Sequence, residues 1–355
     1  MPETLLDKPV RVALIGAGTI AGPYVAGLRA TPGFEVTAVA TRDPATAAAF
    51  AATHDLNACD LASLLADPGI DYVLNLTPAS AHEAVTRACL EAGKSVYSEK
   101  PLAASLAGAD ALIALADARG LLLACAPATF LWPPLATMRR LVEEGRLGPV
   151  IGALSTLVYP GPELFHPNPA HLYARDAGPL RDMGVYQVTA LTALLGSVVA
   201  VTAMASRAQD ERTVLVGPAA GRGFPVERPT HLHAQLRHAG GAISSLIVSF
   251  DGSSASEPRL DLYGRDAGLT MLNPHAPGAT LSLLEGAQRS DLTLDGPVWS
   301  PASFALGPSS AWLAHIREAP VPASATRARD VLAVLLAVEM AVETGTVVAP
   351  VSSGT

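Results

Sequence analysis

Cysteine is scarce in this chain, with three in 355 residues, at Cys59, Cys89 and Cys125. Three thiols make no disulfide framework, and without a Cys-x-x-Cys pair they exclude a zinc ribbon and a dithiol redox centre. Each lies in an apolar stretch, as a buried inert thiol does. Charge is also sparse: 16% of residues are charged, and acids outnumber bases to leave a net charge of −8. Duplex binding needs a basic face, so nucleic acid is not an expected partner. Long apolar runs are missing too. The longest, residues 331–342, is interrupted by Glu339 and is too short to span a bilayer. The opening residues are polar and include Glu3 and Asp7, unlike a signal peptide. The expectation is therefore a cytoplasmic protein with no membrane partner.

What is present is a globular composition, half of it apolar, at a length that suits about two domains. The first third alternates regularly. Strand-like runs fall at Val10–Ile15, Phe34–Ala40, 71–76, 94–97 and 121–126, with helix-like segments between them at 20–30, 44 onward, Leu61–Ala66, 79–92 and 105–119. Asp43-Pro44 reads as a helix cap followed by proline at the first helical position. Asp60 and Ser105 are further candidate caps, and Gly93 and Gly120 are candidate stops. Such alternation implies right-handed crossovers and a mostly parallel sheet covered on both faces. After Pro127 the pattern changes. Residues 132–144 read as a helix, then strands lengthen and helices become rare. Residues 231–237 and 243–250 flank Ala239-Gly240-Gly241, a hairpin signal. Residues 180–195 and 326–343 read as helices. The expected fold class is α/β: an N-terminal Rossmann domain at 1–126, then an α+β domain at 127–355 with a large, mostly antiparallel open sheet. A broad sheet face must be covered, so a homodimer or homotetramer is expected.

Gly16-Ala17-Gly18-Thr19-Ile20-Ala21 follows the first strand and opens a helix. Its glycines permit a tight turn and close approach of backbone to a pyrophosphate, which the helix N-terminus then attracts. At the end of the second strand, an acid would bind the ribose hydroxyls of NAD. The residues there are Thr41 and Arg42, a hydroxyl beside a guanidinium, which suits the 2′-phosphate of NADP. Asp43, one step on, is already assigned as a cap. NADP is the expected cofactor, with NAD as the alternative. His231 and His233 share a strand face, but no acidic or cysteine partner stands at ligand spacing, so no metal site is expected.

Thr77-Pro78, His82 and the run from Ala92 to Leu102 containing Glu99-Lys100-Pro101 resemble the Gfo/Idh/MocA family, which includes glucose-fructose oxidoreductase and inositol dehydrogenase. The Glu-Lys-Pro step is the most specific mark. Segments 165–169 and 177–186 resemble a branch of sugar dehydrogenases. The resemblance implies that Thr77, Pro78 and His82 lie beside the nicotinamide-ribose half of the cofactor, with Glu99 and Lys100 also at it. It further implies that Lys100 exchanges the proton during hydride transfer. Independently, Lys100 follows a strand at the carboxyl end of the sheet, where open α/β folds bind ligands, and a desolvated lysine beside a cationic ring is a suitable proton acceptor.

Asp182 and Tyr186 are four residues apart and would project from one helix face. The family more often has histidine where Tyr186 stands, although glucose-fructose oxidoreductase and dihydrodiol dehydrogenases share the tyrosine. Either Lys100 or Tyr186 therefore transfers the proton, with Asp182 orienting a hydroxyl or Lys100. His166 and Asn168, in a loop rich in proline, are candidate contacts to substrate hydroxyls. The expected substrate is a small sugar, polyol or sugar-derived ketone, lying between the nicotinamide and the Asp182–Tyr186 helix. Two alternatives remain open at this point: an NAD-dependent glycoside hydrolase that oxidises its sugar transiently, and a non-catalytic nucleotide-binding sensor.

Overall fold

The computed structural model describes residues 8–253, 257–275, 279–294, 296, 300 and 302–353. They divide into two compact units, one of residues 1–131 with 299–329, the other of residues 132–298 with 330–355.

The first unit is built on a parallel sheet of β1 (Val10–Ile15), β2 (Phe34–Ala40), β3 (Asn57–Cys59), β4 (Tyr72–Asn75), β5 (Ser95–Ser98) and β6 (Leu123–Cys125) in the order β3-β2-β1-β4-β5-β6. Between the strands run α1 (Ala21–Arg29), α2 (Pro44–His54), α3 (Leu61–Ala66), α4 (His82–Glu91) and α5 (Leu106–Ala118). The order reverses between β1 and β4, the switch point at which such sheets bind ligands. Val12, Leu14, Val73, Leu74 and Val96 are buried, as strands covered on both faces require. Asp43 accepts from the Ala45 and Thr46 amides and Asp60 from the Ser63 amide, while the Ser105 hydroxyl accepts from the Gly108 amide. The Thr46 hydroxyl and then the Ala45 amide hold the Asp43 carboxyl below the ordinary range, and the Ser63 amide does the same for Asp60.

The second unit carries α6 (Pro133–Glu143), β7 (Val150–Val158), α7 (Val185–Leu195) and β8 (Val198–Ser206), a small ribbon of β9 (Glu211–Thr213) and β10 (Gly223–Pro225), and strands β11 (His231–His238), β12 (Ile243–Ser249), β13 (Arg259–Gly264), β14 (Gly268–Leu272), β15 (Thr280–Glu285) and β16 (Gln288–Asp291). Its main sheet has eight strands in the order β16-β15-β14-β13-β7-β12-β11-β8, antiparallel except for the β7–β12 pair. Alternate residues such as Leu232, Leu246, Leu260, Leu269 and Leu281 form one buried face with Met138, Val188, Leu191 and Val338 from helices. The opposite face carries polar and apolar side chains together, including Ile243, Tyr263 and Met204, all exposed.

Two elements escape a reading by pattern. β3 is three residues long and mostly exposed, so it has no apolar signature, and the strand expected third is fourth. Helix α8 (Ala302–Ile316) contains Pro308, which ordinarily argues against a helix, yet it forms and packs on α1. With residues 299–329 it belongs to the first unit, whereas the expected boundary assigned all of 127–355 to the second. The physical reason is concrete: the Tyr72 ring lies 5.0 Å from that of Trp312, and Ala323 accepts from the Cys125 amide. Helix α9 (Ala325–Thr344) starts in the first unit, where Arg329 pairs with Asp110 at 2.9 Å, and the rest of it belongs to the second.

Candidate active site

In the first unit, the carboxyl ends of β1, β4 and β5 gather most of the expected cofactor residues. Gly16 has φ +106°, and a Cβ there would stand 2.5 Å from the Leu76 carbonyl oxygen, so only glycine fits. Gly18 meets nothing within 4 Å of a would-be Cβ, so its backbone can be approached closely. Thr19 is exposed, and Ile20 holds the cap position of α1, which begins one residue later than expected. Ile20 makes no side-chain cap, whereas α2, α3 and α5 are each capped by their own side chains. A helix start without its own acceptor, behind an open glycine, fits a dinucleotide pyrophosphate.

Thr41 is half-buried and Arg42 exposed at the end of β2; the Thr41 hydroxyl donates to the Asp43 carbonyl at 2.5 Å. The Asp43 carboxylate also accepts from the Thr46 hydroxyl at 2.6 Å, so its oxygens are engaged by the helix it caps. The guanidinium of Arg42 is exposed between Thr41 and this engaged carboxylate in the chain.

The switch point is tied by a polar network that motif reading does not single out. Buried Asn75 donates to the His82 carbonyl and to the Thr86 hydroxyl, both at 3.0 Å, and accepts from the Thr77 hydroxyl at 2.7 Å. His82 is buried, with Nδ1 2.7 Å from the Pro101 carbonyl oxygen and Nε2 2.7 Å from that of Thr77. Its imidazole thus fastens the Thr77-Pro78 turn to the Lys100-Pro101 turn. Pro78 itself is exposed.

Glu99 and Lys100 directly follow β5, both half-buried. One Glu99 oxygen accepts from the Tyr24 hydroxyl at 2.8 Å and the other from the Lys100 amide at 3.0 Å. Burial and the Glu99 charge push the Tyr24 hydroxyl well above its usual range, so it stays a donor. Tyr24 stacks edge-on with Tyr97 and Phe304. The only sequence signal for this tyrosine is its place on the first helix, one turn beyond the glycines. Burial pushes the Cys89 thiol up to about 12 and raises that of Cys125 well above its usual range, which keeps both protonated.

In the second unit, Asp182 and Tyr186 are both half-buried. The expected α-helix at 180–195 opens instead as a π turn, Leu180–Gly184, before α7. Such bulges re-aim side chains and recur at functional sites. Burial, then the Asp182 and Glu163 charges, push the Tyr159 hydroxyl up. The Tyr186 ring lies 5.7 Å from that of His275, which burial pushes down to about 4.

His166 is half-buried and Asn168 exposed. The His166 Nδ1 accepts from the Asn168 amide at 3.0 Å, so in the neutral ring Nε2 is the donor. Burial and the neighbouring His171 lower its pKa, which favours that neutral form.

The loop is anchored from below. Arg212, with a side chain 7% exposed, pairs with Glu163 and Asp251 and donates to the carbonyls of Pro160 (2.8 Å) and Phe250 (2.9 Å). Tyr173 donates to Glu163, and Thr230 to Asp251 at 2.6 Å. Among the described residues no group of three His, Cys, Asp or Glu could hold a metal ion, and no helix is long and apolar enough to cross a membrane.

Comparison with known proteins agrees with this geometry. Residues 10–126 match the "Oxidoreductase family, NAD-binding Rossmann fold", and residues 135–270 match the "GFO/IDH/MocA C-terminal domain". A dTDP-3,4-didehydro-2,6-dideoxy-alpha-D-glucose 3-reductase of Streptomyces antibioticus is 30% identical over 287 residues, covering 77% of this chain and 86% of that protein. A trans-1,2-dihydrobenzene-1,2-diol dehydrogenase of Macaca fuscata fuscata is 31% identical over 191 residues, or 53% of this chain; the match spans only 56% of the length of that relative. In fold, the chain superposes on levoglucosan dehydrogenase in complex with NADH and L-sorbose, with TM-score 0.84 and 19% identity over 97% of this chain and all of the other.

Proposed function

Because the chain belongs to the GFO/IDH/MocA oxidoreductase family, we propose that it is an NAD(P)-dependent dehydrogenase or reductase acting on a hydroxyl or carbonyl carbon of a sugar, polyol or diol. The observation that carries the proposal is the joining, through the Tyr24–Glu99 hydrogen bond, of the open glycine turn after β1 to the Glu99-Lys100 step after β5, at the carboxyl ends of strands flanking β4. The relatives act on diols and on a deoxysugar, by their names, which supports the substrate class.

Gly16, Gly18, Thr19 and Ile20 would hold the pyrophosphate, and Thr77 and Pro78 the nicotinamide half. A bound nicotinamide supplies hydride transfer. The chain's own work is with the proton: Lys100 Nζ accepts it from the substrate hydroxyl during oxidation and returns it during reduction. Glu99 fixes the backbone of Lys100, and Tyr24 holds Glu99. Asp182 and Tyr186 bind and orient substrate hydroxyls, and His166 and Asn168 supply further polar contacts. Tyr186 is the alternative proton carrier. Thr41 and Arg42 favour NADP over NAD, since the nearest carboxylate, Asp43, is engaged as a cap.

We also assign the open face of the eight-stranded sheet to a second copy of the chain, as a homodimer or a homotetramer. Exposed Ile243 and Tyr263, both in register with Gly152, would be covered there. Sedimentation at micromolar concentration tests this: a monomer would refute it.

The enzymatic test is a sugar and polyol panel read at the nicotinamide absorbance. Lys100→Met should keep nucleotide affinity within a few-fold yet lower kcat by about 100-fold or more. A Lys100→Met enzyme with wild-type kcat would remove the proposed role of Lys100.

A further inference from the structure

Glu339 interrupts the apolar run 331–342 within α9, and no cofactor or substrate role absorbs it. Its side chain is only 15% exposed, so its charge needs a partner. Arg181 supplies one, donating from Nε to one carboxylate oxygen and from Nη2 to the other, both at 2.7 Å. Such a fork fixes orientation as well as distance. Arg228, also half-buried, donates to the first of those two oxygens.

The residue after Arg181 is Asp182, and both lie in the π turn Leu180–Gly184. One side of that turn is tightly packed: a Cβ on Gly184 would stand 3.0 Å from Leu180 Cδ1 and 3.6 Å from Val248 Cγ1 of β12. The other side is not. Pro179 and Leu180 border a cavity of about 120 Å³, whose wall also includes Arg228, Leu232, Glu339 and Val342. Packing alone therefore leaves the turn room to shift on that side. A π turn holds one residue more than an α turn, and one residue of α-helix is about 100° of rotation. Closing the turn would swing Asp182 relative to Tyr186 by as much as about that angle. The Arg181 fork is the polar tie that opposes this movement.

We propose that Glu339 is a positioning residue for the substrate site. Through the Arg181 fork it keeps the π turn in register, and so sets the direction of Asp182 relative to Tyr186. Arg228 steadies the same carboxylate from outside the turn and has no part in that aim. The inference rests on the substrate roles proposed above for Asp182 and Tyr186.

The test compares variants of the full chain on a substrate that the sugar and polyol panel shows to be turned over. Arg181→Met should lower kcat/KM by about 100-fold, the cost of a misplaced reacting group, with nucleotide affinity within about twofold of wild type. Glu339→Gln keeps its shape and one acceptor, and should lose about tenfold. Combined, the two should lose no more than Arg181→Met alone, because both remove one interaction. Arg181→Lys should recover only part of the loss, since an ammonium does not engage both oxygens as a fork does. Arg228→Met leaves the fork intact and should keep kcat/KM within about twofold. A crystal structure of Arg181→Met should show the turn relaxed toward an α turn, with the preceding loop shifted into the cavity. Nucleotide affinity, unchanged in every variant, shows that the fold is intact. Asp182→Asn separates this inference from the reading beneath it: wild-type kinetics in that variant would remove the role of Asp182 itself. With Asp182→Asn impaired, wild-type kinetics in both Arg181→Met and Glu339→Gln would overturn the inference alone. So would equal losses in Arg228→Met and Arg181→Met, which would make the triad a general support, or an unaltered π turn in the crystal structure of Arg181→Met.

Discussion

Arg212→Met should release the loop that carries His166 and Asn168. The guanidinium is almost fully enclosed, between two carboxylates that are themselves 8% and 10% exposed, Glu163 and Asp251. Its planar fork reaches both acids and two backbone carbonyls, Pro160 and Phe250, a geometry that a lysine ammonium does not reproduce. Methionine fills much of the volume but leaves two buried negative charges facing each other. Removing one partner of a buried ion pair costs about 3–5 kcal/mol. For a unit of this size each kcal/mol corresponds to roughly 2–4 °C, so the melting transition of the second unit should fall by roughly 6–20 °C. Differential scanning calorimetry measures the fall, and hydrogen exchange shows whether amides 161–173 lose protection first. Arg212→Lys should lose less, and Glu163→Gln less again, because a charged pair with Asp251 survives. A melting temperature within 2 °C of wild type for Arg212→Met would refute the claim that this arginine holds the loop.

Gly16→Ala should cost about 1–3 kcal/mol, because it combines a positive φ with a Cβ pressed on the Leu76 carbonyl; calorimetric titration should also show nucleotide affinity down more than about tenfold. Tyr24→Phe removes the donor to Glu99, and steady-state kinetics should show kcat lowered by about three- to tenfold with nucleotide affinity little changed. His275 titrates in the folded chain at about 4 against 6.5 for the free side chain, so between those values the unfolded chain binds more protons. Its contribution is thus fully present above about pH 6.5 and is lost as pH falls toward 4. Denaturation series across that window should show a shallower pH slope for His275→Phe. Arg42→Ala should weaken NADPH binding by about tenfold and leave NADH unchanged.

Much of the first unit was legible because its determinants are local. Val10–Ile15 is apolar throughout because both sheet faces are covered, and Asp43-Pro44, Asp60 and Ser105 announce three helix starts through the bonds they make. The glycines at 16 and 18 mark a turn that backbone geometry requires. Long-range pairing leaves no such local signal. Asn75, Tyr24 and Arg212 look ordinary in sequence, and, the Thr77 hydroxyl on Asn75 aside, their hydrogen-bond partners lie 7 to 75 residues away. Helix α8 joins the first unit through ring contacts with residues more than two hundred positions earlier. The π turn at Leu180–Gly184 carries no residue that a normal helical turn would refuse, so the helical period alone does not reveal it. The Arg212 network was equally hidden, since its acids lie on separate loops.

The most direct test of the central reading is a calorimetric titration of the whole chain with NADPH and with NADH, paired with the same titrations of Gly16→Ala. One nucleotide should bind per chain, more tightly as NADPH, with the heat largely lost in the variant. A wild-type chain that gives no saturable heat with either nucleotide would contradict the account at its root.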